Sequence, residues 1–93
     1  MADIQVEKTE TGQGYKFEVT VRERRSKTHH TVNLSQADYQ RLAGGKATPE
    51  ALVTESFRFL LDREPKEAIL RSFDLTVIGR YFPEYERVIR QRL

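Results

Sequence analysis

Few side chains in this 93-residue chain are able to do chemistry: two adjacent histidines, scattered carboxylates and hydroxyls, and no cysteine. The missing thiol excludes disulfide staples, zinc ribbons, thiol nucleophiles and redox motifs. His29 and His30 lie where polar and apolar residues alternate, so their side chains leave a strand on opposite faces and cannot share one metal ion. One solvent-exposed histidine and one at the edge of the core are expected. Glu64 and Glu67 are interleaved with Arg63, Lys66 and Arg71, the pattern of a solvated helix surface laced with weak ion pairs. General acid–base work needs burial to move a carboxylate pKa, and this pattern carries no sign of it. Gly12-Gln13-Gly14 lacks the third glycine of a dinucleotide-binding turn. Gly44-Gly45-Lys46-Ala47-Thr48 lacks the spacing of a phosphate cradle and keeps at most weak anion binding through free N–H groups. The expectation is a protein that is not an enzyme and has neither cofactor nor resident metal.

Two surfaces remain. Arg22, Arg24, Arg25 and Lys27, with His29 and His30 beyond, form the densest positive cluster and fall on a turn between strands, where a basic tip can track nucleic-acid phosphates. The field around them is weak, because Lys8, Lys16, Arg22, Arg24, Arg25 and Lys27 are met by Asp3, Glu7, Glu10, Glu18 and Glu23, and the whole chain carries only +2. Such charges also keep a strand edge from aggregating. The second surface is Arg80-Tyr81-Phe82-Pro83-Glu84-Tyr85, with three aromatics across a helix break. Aromatics so clustered are core, or they anchor a protein partner by burying a large ring while keeping a polar tip wet. Arg80, Tyr81, Phe82 and Tyr85 are the candidate partner surface.

The elements that position these groups follow from periodicity. A composition 38% hydrophobic and 32% charged predicts one soluble domain over residues 1–93 with a modest core, small enough for a dimer to add useful burial. No apolar run reaches membrane-spanning length, and the N-terminal residues lack a signal-peptide pattern, which predicts a cytoplasmic setting without membrane contact. Ile4 and Val6, then Tyr15, Phe17, Val19 and Val21, then His30, Val32 and Leu34 recur at period two and predict three strands. The turn at Thr11 to Gly14 is expected to use a glycine at positive φ. Ser35 and Thr48 are expected helix caps, the latter with Pro49 and Glu50 behind it and Gly44-Gly45 ending the preceding helix. Leu52, Val53, Phe57, Leu60 and Leu61 make one helical stripe, with Phe59 off its centre. Pro65 is expected to start a further short helix carrying Ile69 and Phe73 on one face, Asp74 to cap a turn with Leu75 and Ile78, and Pro83 to open a last helix with Tyr85, Val88 and Ile89 inward.

Residues 28–61, a strand ending in Leu34-Ser35, a capped helix, a glycine turn and a longer amphipathic helix, resemble a ribbon-helix-helix DNA-binding domain. That family forms an intertwined dimer and reads the major groove with outward strand residues; by position these are His29, Thr31 and Asn33, with Thr48 near a phosphate. They join Arg22, Arg24, Arg25 and Lys27 as the candidate nucleic-acid surface. The chain departs from the pattern in its short first helix, in the lack of Arg or Lys among the outward residues, and in the two strands that precede. Residues 59–85 resemble short bacterial proteins of uncharacterised function that share an Arg63-Glu64-Pro65-Lys66-Glu67 turn and an Arg80-Tyr81-Phe82-Pro83-Glu84-Tyr85 box. This likeness implies a bacterial setting and no particular chemistry.

The sequence therefore predicts an α+β fold: a three-stranded antiparallel meander over residues 3 to about 34, with helices from about 35 to 92 packed on its apolar face. The expected core includes Val6, Leu61 and Val88. The leading functional expectation is a non-catalytic adaptor or regulator that binds another protein or a second copy of itself; the alternative is a nucleic-acid-binding regulator.

Overall fold

Phe17, Val19 and Val21 alternate with Lys16, Glu18, Thr20 and Arg22, so the apolar set shares one face of a strand, and all three are fully buried there. The computed structural model describes residues 2–93. Its strand β2 (Gly14–Glu23) pairs antiparallel with β1 (Asp3–Thr11) on one side and β3 (Ser26–Ser35) on the other, with Val6, Val19 and His30 in one row and Lys8, Phe17 and Val32 in another. The first turn works otherwise than expected, because neither Gly12 nor Gly14 takes a left-handed backbone. Gly14 is needed for close approach: a Cβ there would run into the Leu34 carbonyl oxygen and lie 2.8 Å from Ser35 Cα, where β3 turns into the first helix.

The sheet has four strands in the order β1-β2-β3-β4 and is mixed, which corrects the three-stranded antiparallel meander. Strand β4 (Ser72–Asp74) runs parallel to β3, pairing Thr31 with Ser72 and Asn33 with Asp74, and the Thr31 N–H donates to the Arg71 carbonyl at 2.7 Å. A parallel neighbour needs a long crossover, and here two helices supply it. Helix α1 (Gln36–Ala43) starts where the Ser35 hydroxyl accepts the Asp38 N–H at 3.1 Å and stops at Gly44, which is left-handed at φ 54°. Helix α2 (Pro49–Leu61) starts where the Thr48 hydroxyl accepts the Ala51 N–H at 3.1 Å. After Pro65 the expected short helix with Ile69 and Phe73 on one face does not form. A single 3-10 turn, Lys66–Ala68, gives way to extended chain at Ile69, and Phe73 reaches the core from β4. The Asp74 carboxylate then accepts the Thr76 N–H at 3.0 Å and starts a second 3-10 turn, Leu75–Val77, that runs into α3 (Ile78–Tyr81), followed by α4 (Tyr85–Arg92).

Leu52, Val53, Phe57 and Leu60 of α2 are buried as their spacing predicts, but so are Ser56 and Phe59, because the helix is covered on a second side as well. Phe59 meets Tyr85 edge-on at 5.3 Å and Phe82 at 5.8 Å between ring centres. Val6, Leu61 and Val88, expected in the core, are only half-buried at its margin. His30 is 1% exposed and belongs to the core proper. Its Nδ1–H donates to the Leu70 carbonyl and its Nε2 accepts the Thr28 hydroxyl, each at 2.8 Å, and its ring lies 5.4 Å from that of Phe57. The neutral imidazole thereby ties the segment entering β4 to the sheet.

Phe57→Ala is expected to cost roughly 3–5 kcal/mol in denaturant unfolding, since the ring is fully buried between sheet and helices. Burial holds the His30 pKa below its ordinary 6.5, so on acidification the unfolded chain takes up the proton first and stability falls as the pH drops below about 6.5. Melting curves between about pH 7.5 and about pH 5 check this, with the slope reduced in His30→Gln.

Candidate functional site

The C-terminal end of α2, the extended stretch into β4 and helix α3 do not close on one another. Between them lies a groove of about 320 Å³ lined by Leu60, Glu64, Ala68, Ile69, Leu70, Phe73, Val77, Ile78, Tyr81 and Phe82. Its floor is apolar because Leu60, Ile69, Phe73 and Ile78 turn their buried side chains toward the core beneath. Its rim is unusual. Among the described residues the large hydrophobic side chains that stay exposed are Leu70, at 47%, and Tyr81, at 68%, and both border this groove.

The two short sequence blocks form its walls. Arg63 joins them: its guanidinium stacks on the Phe59 ring at 3.6 Å, donates to the Phe59 carbonyl at 3.1 Å and through Nε to the Glu84 carboxylate at 3.2 Å. Lys66 buries its stem and pairs with Glu67 at 2.7 Å, which draws the Glu67 pKa down. These residues do not form the solvated helical surface that their spacing suggests, because the helix ends before them and the chain folds back on α2 and α3. Glu64 is the exception in the block. It is half-buried at the groove, has no cation within 4 Å among the described residues, and burial pushes its pKa above the ordinary carboxylate value.

The expected aromatic surface divides. Arg80 and Tyr81 are exposed and Phe82 is half-buried in the groove wall, but Tyr85 is 1% exposed and belongs to the core. Its hydroxyl donates to Ser56 Oγ at 2.6 Å, since the Ser56 proton is engaged by the Leu52 carbonyl at 2.7 Å, and burial raises the phenol pKa. Pro83 separates Phe82 from Tyr85 and lets the chain turn between the two roles. The sequence did not reveal the contribution of Leu60, Leu70 and Val77 to this site, because they come from three separate stretches of the chain. Leu70 sits beside Ile69 in Ala68-Ile69-Leu70-Arg71, and nothing in that run told which of the two side chains would stay exposed.

The basic residues lie elsewhere. Arg22, Arg24, Arg25 and Lys27 are exposed around the β2–β3 turn, and none has a carboxylate within 4 Å among the described residues. His29, Thr31 and Asn33 point from β3 to the sheet face that the helices leave open. An anion occupies the middle of that face: Glu18 accepts from the Thr31 hydroxyl at 3.1 Å, lies 2.6 Å from His29 Nε2 and 4.0 Å from Lys16 Nζ, and the His29 contact lowers its pKa. Strand β3 is hydrogen-bonded to β2 along its length and to β4 over residues 31–33, so that part of its outer edge is engaged within the chain.

An unpaired, partly desolvated carboxylate costs stability while it is charged. With its folded pKa raised above 4.5, the penalty on Glu64 is complete at neutral pH and fades as the pH falls through that pKa. Glu64→Gln is therefore expected to raise the melting temperature at neutral pH and to leave it unchanged near pH 4, about where the wild-type side chain is itself neutral, measured at low-micromolar protein. No match to this chain is found among protein-family models, curated proteins or solved structures.

Proposed function

We propose that this protein is a small non-catalytic adaptor or regulator, acting in a cytoplasmic setting, whose contact surface for another protein chain is the groove between α2, β4 and α3. The observation that carries the reading is the coincidence at one place of the exposed Leu70 and Tyr81, an apolar floor and a carboxylate that has no cation within 4 Å among the described residues. Apolar clefts with a few convergent polar groups are where side chains of a partner bury most productively, and a tyrosine at such a rim gives large contact area at small entropic cost. No helix among the described residues is long and apolar enough to cross a membrane.

A second reading, nucleic-acid binding through the β2–β3 turn, is favoured by its four cations without partners and by Arg24, which holds a left-handed φ of 58° where glycine or asparagine would sit at lower cost. The anionic Glu18 at the centre of the adjoining sheet face weighs against an extended phosphate track there.

A benzophenone cross-linking side chain placed at position 81, in its native host, is expected to yield protein adducts, and the same group at position 25 is not expected to yield nucleic-acid adducts. Nucleic-acid adducts at position 25, with amide shifts confined to residues 22–33 that vanish with salt, would reverse the ranking of the two readings.

A further inference from the structure

We infer that the occupant of the groove is a second copy of this chain, giving a two-fold symmetric dimer in which Tyr81 of each protomer enters the groove of the other and Arg80 of each approaches Glu64 of the other. The inference rests on the reading of the groove as a protein-contact surface and names the partner.

The argument is self-complementarity. A two-fold interface brings one patch against itself, so it must carry both the knob and the hole and both signs of charge. This patch does. The hole is the apolar groove of about 320 Å³, and the knob is Tyr81, 68% exposed on its rim, with Leu70 beside it. Among the described residues, the negative group is Glu64, half-buried in the groove without a cation within 4 Å, and the positive group is Arg80, exposed and adjacent to Tyr81, without a carboxylate within 4 Å. Within one chain the two charges form no ion pair, although Glu64 lines the cleft and Arg80 is the chain neighbour of Tyr81, which lines it too. Helix α3 is only four residues long and ends at Tyr81, whose side chain is left uncovered by the described residues.

Charge reversal tests the pairing. Sedimentation from low-micromolar to near-millimolar concentration is expected to show a wild-type dimer, and Tyr81→Ser to raise its dissociation constant about tenfold or more, the loss typical of an aromatic anchor. Arg80→Glu alone opposes two carboxylates, and Glu64→Arg alone opposes two guanidinium groups, so each is expected to be monomeric. Mixing these two variants should restore a heterodimer, and the double variant Glu64→Arg with Arg80→Glu should restore a homodimer. Arg80 and Tyr81 are exposed, so their variants keep the test valid if Glu64→Arg fails to fold, which a thermal melt reports. A wild-type protein that stays monomeric throughout, or a dimer indifferent to Tyr81→Ser and Arg80→Glu, overturns the inference. If the cross-linker at position 81 then captures a different protein, the dimer is rejected and the protein-contact reading stands; if it captures no protein at all, that reading falls too.

Discussion

Helix α2 has to be buried on two sides at once, and the remainder of the molecule is arranged to allow it. Phe57 and Phe59 are two residues apart, about 200° around the helix, and neither exposes any surface. Phe57 lies 5.4 Å from His30 and 6.1 Å from Phe73, on the sheet side. Phe59 is enclosed by Tyr85, Phe82 and the Arg63 guanidinium on the other. One chain can satisfy both only if it leaves the end of α2, returns to the sheet edge, and then comes back over the helix. The stretch from Arg63 to Arg92 follows that course: β4 adds to β3, and α3 and α4 close over Phe59. Each of the polar groups drawn into this packing has a partner, Ser56 with Tyr85 and Lys66 with Glu67 among them, and no buried side-chain polar atom of the described residues is left without one.

The groove is a product of the same route. The turn after α2 and helix α3 diverge because one is pinned to the sheet through the His30 hydrogen bond to Leu70, while the other is pinned to α2 through Phe82. The gap between them shows core side chains to solvent. Natural folds commonly fill such a gap or cap it with polar groups. Here it is rimmed by Leu70 and Tyr81 and holds a carboxylate that burial makes harder to ionise, a local arrangement at odds with the well-satisfied packing around it. Conflicts of that kind, in a domain otherwise consistent at every level, are where function is expected to lie. The opposite face of the sheet is different in kind: its histidine, threonine, lysine and glutamate side chains pair with one another across strands and leave no apolar surface.

Much of the architecture was legible because its causes are local. Period-two alternation placed β1, β2 and β3, and it set His30 inward and His29 outward. Ser35, Thr48 and Asp74 announced helical turns through side-chain oxygens that accept N–H groups two or three residues on, and they do so here. Strand β4 was illegible because three residues cannot display a period, and because its partner in the sheet is 41 residues earlier. Phe59 does lie off the stripe, but its burial was illegible for a related reason. A hydrophobic stripe identifies the face toward one neighbour, and α2 has two.

The candidate site was readable only in pieces. The two blocks around Pro65 and Pro83 and the aromatics at 81, 82 and 85 stood out, but their division of labour did not: Tyr85 and Tyr81 have the same side chain, and only the turn at Pro83 sends one to the core and the other to solvent. The unpaired state of Glu64 likewise depends on where Arg63 and Lys66 are drawn, toward Phe59 with Glu84 and toward Glu67. By itself, then, the sequence determined the first three strands, the caps at Ser35, Thr48 and Asp74 and the α+β class, since propensity, alternation and capping act over a few residues. The fourth strand, the second buried side of α2 and the groove were decided by tertiary structure alone, because each requires surfaces distant in the chain to meet and compete for burial.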